Sequence, residues 1–156
     1  MSALILHNIR SVYNVGSIFR TADAAGVSKI ILTGYTPGPL DRFKQPRKDF
    51  TKVSLGAEKT VHWVQIKNVY AAIKALRLDG YEIVAVEQAE NSASLFNFKP
   101  DPKKKLALVL GNEVRGISKP TLSKCDKIVE IPMRGKKESL NVSVAAGIAM
   151  FALQEK

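Results

Sequence analysis

The stretch IPMRGKKESLNVSVAA at residues 131–146 decides the fold, because it joins a strand end, a small polar turn and the start of an apolar helix. Asn141 is positioned to cap this helix by accepting a backbone N–H. Apolar residues follow at helical spacing in two stripes, one of Val142, Ala145, Ala146, Ala149 and Leu153 and another of Val144, Ile148 and Phe151. We expect a helix that is apolar on both sides to be buried on both sides. Ser139 and Asn141 are therefore predicted at a helix N-terminus packed into the core, where free N–H groups can hold a ligand oxygen or a carboxylate.

The composition predicts a single domain over residues 1–156 and a polyanionic partner. Lys and Arg number 24 against 14 Asp and Glu, which gives a formal net charge of +10. This excess favours nucleic acid over an acidic small molecule. Cys125 is the single cysteine, so a disulfide framework or a multi-cysteine metal site is excluded and a cytoplasmic location is expected. Residues 1–10 do not combine a basic region with a long apolar run, and no apolar run reaches membrane-spanning length, so we expect no export signal and no membrane partner.

Apolar runs alternate with helical patterns along the chain, which predicts an α/β fold with helices around a mainly parallel sheet. A helix with Arg20 on its outward face is expected between the first two strands and ends near Gly26. Two further helices are expected at residues 68–79 and 141–153. Strands are predicted at residues 3–6, 30–33, 61–66, 81–86, 106–110 and 127–131.

Two segments are predicted to be irregular. Residues 35–49 contain three prolines, too many for a helix or a central strand, and four basic residues. Loops of this length are often functional, and basic residues beside Phe43 and Phe50 suit contacts with phosphates and bases, although a solvated basic loop is an equal alternative. Residues 91–105 end in PDPKKK and are expected to form a solvated linker.

The segment LALVLGNEVRGIS at residues 106–118 runs from a buried strand into a glycine-containing turn, with a short helical start predicted at Lys119, and nearly matches a phosphate-binding P-loop. Gly111 and Gly116 have the required spacing and Ser118 is in position, but Ile117 stands where the loop needs a lysine. Nucleoside-triphosphate chemistry is therefore disfavoured. No G-x-G-x-x-G follows any predicted strand, so a conventional nicotinamide site lacks its fingerprint.

Three ordered segments carry a family resemblance. NIRSVYNVGSIFRTADAAGV at residues 8–27, LGNEVRGIS at 110–118 and residues 131–146 resemble the three motifs of the SPOUT methyltransferases, specifically the TrmH (SpoU) family of RNA ribose 2′-O-methyltransferases. The resemblance implies an α/β fold with a deep C-terminal trefoil knot, a rare exception among protein chains. It also implies S-adenosylmethionine as cofactor, S-adenosylhomocysteine as product, tRNA or rRNA as substrate, and a homodimer in which the motif-one and C-terminal helices of two subunits pack together.

The resemblance also implies roles for individual residues. Asn14 and Arg20 match the motif-one positions nearest the methyl acceptor, Glu113 matches the acid of motif two, and Ser139 and Asn141 match motif three. The expected cofactor-binding residues are Glu87, Leu110, Gly111, Ile131, Met133, Ser139 and Leu140.

The resemblance gives a reason for glycine at position 111. We expect the backbone there to approach the cofactor so closely that no room is left for a Cβ. Val114 and Arg115 depart from the family pattern, because many relatives have glycine there, and this leaves the contacts of the loop open. We expect no appended RNA-binding domain, so RNA contacts are assigned to the domain itself, at Arg10, Arg42, Arg47 and Lys48.

The family assigns activation of the ribose hydroxyl to the arginine that Arg20 matches. A guanidinium with a pKa above about 12 is a poor general base. We therefore expect Arg20 to bind the adjacent phosphate and to stabilise the developing alkoxide, with proton removal shared or left to solvent. His7 and His62 have no partner at ligand spacing, so no metal is predicted.

Two other classes of function remain open from the sequence. One is a catalytically silent RNA-binding or assembly factor on the same fold, and the other is a phosphate-binding hydrolase that uses the Gly111 loop. Arg20, Glu113, Ser139 and Asn141 argue against the first, and Ile117 argues against the second. The identity of the RNA and of the methylated nucleotide is not decided by the sequence.

Overall fold

Seven parallel strands form one sheet in the computed structural model, which describes residues 2–154. The strand order is β3-β2-β1-β6-β4-β7-β5, and every paired neighbour runs in the same direction. The strands are β1 (Ser2–His7), β2 (Lys29–Thr33), β3 (His62–Gln65), β4 (Tyr81–Val86), β5 (Ala93–Ser94), β6 (Lys105–Leu110) and β7 (Lys127–Glu130).

Helices cover both faces of the sheet. They are α1 (Val12–Ala24), α2 (Lys48–Ser54), α3 (Ala57–Thr60), α4 (Val69–Leu78), α5 (Lys119–Leu122) and α6 (Val142–Gln154). Leu4 and Leu6 of β1 pack into the core on the side of α1 and α6, while Ala3 and Ile5 pack on the side of α4. Burial on both faces explains why the strands read as continuous apolar runs. Within residues 2–154, every helix falls short of the length and apolar content needed to cross a bilayer.

The predicted α/β architecture is confirmed, and three short elements were missed. Helix α2 begins inside the segment predicted to be irregular, at Lys48, two residues after Pro46, and α3 follows it. The prediction of a solvated linker at residues 91–105 is wrong for its first part. There, Ala93 and Ser94 form edge strand β5 beside β7, and Leu95 is fully buried. A strand of two residues is too short to produce a periodic pattern.

The prediction that α6 is buried on both sides is also wrong for the single chain. Val142, Ala146, Ala149 and Leu153 are buried, whereas Val144 and Phe151 are 50% and 51% exposed. Ser139 and Asn141 are exposed rather than enclosed by the core. The reason is geometric, because α6 packs against α1 and the sheet with one side and nothing in residues 2–154 covers the other.

Candidate functional site

A cavity opens at the carboxyl ends of β4, β6 and β7, where ligands commonly bind in open parallel sheets. Three chain segments form its wall, one following each strand. All of the residues predicted to bind the cofactor line this cavity: Glu87, Leu110, Gly111, Ile131, Met133, Ser139 and Leu140. Glu113, predicted to be catalytic, lines it as well.

The charge of the cavity suits a cationic ligand. Glu87, Glu113 and Glu130 are among the residues that line it, and no lysine or arginine of residues 2–154 is. Val86, Ile131, Leu140 and Val142 supply apolar surface. A triphosphate would find no countercharge here, which agrees with the missing P-loop lysine.

The turn after β6 is built by its own side chains and explains Gly111. The Asn112 carboxamide oxygen accepts the backbone N–H groups of Val114 at 2.9 Å and Arg115 at 2.8 Å. A Cβ on Gly111 would lie 2.6 Å from Ile117 Cγ1 and 2.8 Å from the Gly116 carbonyl oxygen. The tightness of the turn itself is therefore one physical reason for glycine here, and close approach of the cofactor, the reason given by the sequence interpretation, stays a prediction.

Glu87 ties the end of β4 to this turn, a contact that the sequence analysis missed. Its carboxylate accepts the Ile117 N–H at 2.8 Å and the Gln88 N–H at 2.9 Å. Gly116 has a φ of +64°, and a Cβ there would collide with the Glu87 carboxylate. A contact between residues 30 positions apart leaves no local pattern in the sequence.

Residues from all three motifs meet at the N-terminus of α1. Glu113 accepts the backbone N–H groups of Arg10 and Ser11 and the side-chain amide of Asn14, each at 3.1 Å. The Asn141 amide in turn donates to the Asn14 carboxamide oxygen at 3.1 Å. Glu113, Asn14 and Asn141 thus form one connected network beside the cavity.

The network keeps Glu113 ionised. Partial burial by itself raises the pKa of the carboxyl, but the hydrogen bonds from the backbone and from Asn14 outweigh burial and hold the pKa below its ordinary value of 4.5. Glu113 is consequently an acceptor and an anchor at neutral pH, not a proton donor.

Asn141 caps α6, as predicted. Its carboxamide oxygen accepts the Ser143 N–H at 2.8 Å and the Ser143 hydroxyl at 2.6 Å. Because its amide nitrogen donates to Asn14, the one side chain fixes both the start of α6 and the link to α1.

Arg20 is not brought to this cavity within the chain. It lies on the exposed face of α1, six residues beyond Asn14, and is not among the residues that line the wall. Its neighbour Thr21 faces α6, where a Cβ on Gly147 would lie 3.5 Å from the Thr21 methyl group.

The four residues predicted to contact RNA lie in different surroundings. Arg42 and Lys48 are exposed, and the Arg42 guanidinium stacks on Phe43, 4.7 Å from the ring centre. Arg47 instead donates two hydrogen bonds to Asp49, at 3.2 and 3.0 Å. Arg10 is exposed beside a second depression, which the segments after β1, β2 and β6 line. As for metals, residues 2–154 contain no cluster of three or more His, Cys, Asp or Glu arranged to hold an ion.

Comparison with known proteins assigns the class of this fold and site. A model of the SpoU rRNA Methylase family matches residues 1–151, and the chain belongs to that family.

Individual relatives and solved structures agree with this assignment. A 23S rRNA (guanosine-2′-O-)-methyltransferase, RlmB, from Ralstonia nicotianae is 34% identical over 95% of this chain and 56% of its own length. The AdoMet-bound rRNA methyltransferase from Sinorhizobium meliloti has a TM-score of 0.87 and 30% identity over 99% of this chain and 56% of that one. A structure described in terms of the 2-OH methylation of C/U34 on tRNA has a TM-score of 0.84 and 26% identity over 99% of this chain and 95% of that one. The chain spans less than two thirds of the length of the curated relatives it matches.

Proposed function

We propose that this protein transfers a methyl group from S-adenosylmethionine to a ribose 2′-hydroxyl of structured RNA, either tRNA or rRNA. The observation that carries the proposal is the cavity at the ends of β4, β6 and β7, whose wall unites segments from motifs two and three. The network of Glu113, Asn14 and Asn141 supports it, because it links motif one to the same place.

The residues of the cavity fit this cofactor. S-adenosylmethionine carries a sulfonium cation and supplies the reactive methyl group. The three glutamates among the lining residues give the site negative charge, which favours a cationic ligand, and the apolar lining residues suit the adenine ring. The Gly111 turn, braced by Asn112 and Glu87, offers backbone groups without an intervening side chain.

On the acceptor side, we assign positioning to Asn14, Glu113 and Asn141, which hold each other by hydrogen bonds. Ser139 lines the cavity at its exposed mouth. We assign to Arg20 the binding of a backbone phosphate and the stabilisation of the developing alkoxide. A guanidinium is a weak base, but its paired N–H groups form strong hydrogen bonds to an anion.

We also propose a homodimer that uses the uncovered face of α6 together with α1. Val144 and Phe151 on α6 and Tyr13 on α1 are exposed apolar or aromatic side chains. Burial of such a surface stabilises a symmetric dimer. Because Thr21 contacts α6, its neighbour Arg20 lies close to this surface and would stand beside the second subunit.

Finer features complete the proposal. The segment of residues 131–141 is proposed to thread into a trefoil knot, and its contact with the segment after β4, where the Gln88 amide donates to the Glu138 carbonyl at 2.7 Å, supports close packing of these two segments. A cytoplasmic location and a part in tRNA or rRNA processing follow from the proposed substrate.

The single cysteine is given no part in the reaction. Burial raises the pKa of the Cys125 thiol to about 11, so the thiol stays protonated and unreactive.

The decisive test is nucleoside mass spectrometry of RNA from cells with and without the protein, combined with methyl transfer by the purified chain. We expect one 2′-O-methylated nucleoside to disappear in the deletion strain and to return with the wild-type gene but not with Gly111→Val. Unchanged modification, together with no transfer from labelled S-adenosylmethionine to RNA of the deletion strain, would refute the proposal and favour a silent RNA-binding factor.

A further inference from the structure

A second depression lies beside the Gly111 turn and adjoins the cavity assigned to the cofactor, with which it shares Asn112 and Val114. It is lined by Arg10, Tyr35, Asn112, Val114 and Arg115. Its wall therefore combines two arginines with an aromatic ring, the combination with which proteins bind unpaired nucleotides. Tyr35 and Arg115 have no role in the function described above.

Tyr35 is exposed but immobilised. Its side chain is 58% exposed, yet the phenolic oxygen accepts a hydrogen bond from the Asn112 amide at 3.0 Å. Its backbone N–H donates to the Asn8 carboxamide oxygen at 3.3 Å. A ring that is already fixed loses little conformational entropy when a ligand stacks on it.

The group that holds the ring is nearly buried and also shapes the cofactor turn. Asn112 is 8% exposed, and its amide nitrogen donates to the Asn8 carbonyl at 2.9 Å as well as to Tyr35. Its oxygen accepts the Arg115 N–H. One side chain therefore sets the position of Tyr35 and the course of the chain at Arg115.

The two arginines are available for an anion. Arg10 and Arg115 are exposed, and neither guanidinium forms an ion pair within residues 2–154. The backbone N–H of Arg10 is bound to Glu113, which anchors the main chain and leaves the side chain free. With a net charge of +10 on the chain, a polyanion is the ligand that this depression favours.

We propose that this depression is a nucleotide subsite in which an unpaired base of the substrate RNA stacks on Tyr35 while Arg10 and Arg115 bind its flanking phosphates. The proposal rests on the RNA methyltransferase function given above. Asn112 is a positioning residue, because it would link occupancy of this subsite to the turn that lines the cofactor cavity.

The test measures binding of a short fluorescent single-stranded RNA to the full chain, with S-adenosylhomocysteine present. Tyr35→Ala should weaken binding by about 5-fold to 140-fold, the range for loss of one stacked base, and Tyr35→Phe, which keeps the ring but loses the hydrogen bond from Asn112, should weaken it less. Tyr70→Ala is the matched control, since Tyr70 is an exposed tyrosine on α4 that lines neither depression. Equal affinities for Tyr35→Ala and wild type, or no RNA binding by wild type, would overturn the subsite.

The arginines have a separate readout in the salt dependence. Arg10→Gln and Arg115→Gln should each lower the slope of log affinity against log salt by about 0.7, as expected for one phosphate contact on a single strand. Lys74→Gln, an exposed cation on α4, should leave the slope unchanged. An unchanged slope in both arginine variants removes the phosphate contacts from the proposal.

Calorimetry with S-adenosylmethionine separates this inference from the proposed function. A wild-type chain that binds the cofactor and methylates RNA, with Tyr35→Ala equally active at limiting RNA, defeats the subsite alone. A chain that binds RNA through Tyr35 but neither binds the cofactor nor methylates RNA defeats the proposed function and leaves the subsite standing.

Discussion

Asn141 donates a hydrogen bond to Asn14 at 3.1 Å, although 127 residues separate them along the chain. The Asn14 amide donates in turn to the Glu113 carboxylate, and the Asn141 carboxamide oxygen caps α6. The pair therefore joins α1 to α6, the first and last helices of residues 2–154, at the edge of the proposed cofactor cavity. This link needs an amide at both positions, because Asn14 and Asn141 each donate one hydrogen bond and accept another.

Replacing Glu113 tests the network through its pH dependence. The folded-state pKa of Glu113 lies below its ordinary value of 4.5, so its contribution to stability is present above that value and is lost as the pH falls through the folded pKa. We expect Glu113→Gln to lower the free energy of unfolding at pH 7 by about 1 kcal/mol and to show a smaller further loss under acid than wild type. Denaturant titrations at several pH values measure both effects. Parallel acid profiles would contradict the role of Glu113 as an ionised anchor.

The tight turn predicts that cofactor binding fails when Gly111 is enlarged. Gly111→Val should abolish binding of S-adenosylmethionine, because even the first side-chain carbon meets Ile117 and Gly116. Gly135→Ala is the control, since a Cβ there meets nothing within 4 Å. Calorimetric titration should show binding of S-adenosylmethionine or S-adenosylhomocysteine and none of ATP. Saturable ATP binding without a response to either cofactor form would reverse our interpretation of the cavity.

The exposed face of α6 predicts how the chain assembles. Phe151→Glu and Val144→Glu should convert a micromolar homodimer to a folded monomer, because both side chains are half exposed in the single chain and support its core little. Leu78→Glu on α4 is the matched control, with an exposed leucine outside this face. Sedimentation analysis reports the mass, and circular dichroism reports the fold. A wild-type chain that sediments as a folded monomer at micromolar concentration rules out the interface.

The basic loop should contribute unequally to RNA binding. Arg42→Gln combined with Lys48→Gln should lower the salt slope by about 1.4 to 1.8, the value for two phosphate contacts. Arg47→Gln should change it less, because Arg47 is already paired with Asp49. Lys103→Gln combined with Lys104→Gln removes the same charge from another exposed loop and serves as the control. Filter binding over a salt series gives the slopes, and identical slopes for all variants would remove this loop from the RNA site.

Arg20 separates catalysis from binding. Arg20→Ala should reduce single-turnover methyl transfer by at least about 100-fold, the scale of one lost transition-state donor. Arg20→Lys should remain strongly impaired, because an ammonium cannot provide the paired donors of a guanidinium. Cofactor affinity should be unchanged, since Arg20 does not line the cavity. Near-normal turnover of Arg20→Ala would exclude Arg20 from the mechanism and show that it is an ordinary solvated arginine.

The sequence alone predicted those structural features whose pattern lies within one short segment of the chain. Continuous apolar strands with helices between them predicted the parallel α/β sheet, because burial on both faces removes the usual alternation. The cap at Asn141 followed from its position before an apolar helix, and the structure confirms it. The cofactor-binding residues implied by the motif resemblance line one cavity together with Glu113, whereas Arg20 does not line it, and all of these roles stay predictions.

Contacts between distant segments were decided only by the tertiary structure. The sequence could not reveal that Gly111 is required by Ile117 and Gly116, that Glu87 braces the same turn, or that Arg47 is paired with Asp49. It also assigned burial to both sides of α6, because an apolar stripe has the same pattern whether its own core or a second molecule covers it. Periodicity records which residues avoid water, and only the packed chain determines what each of them contacts.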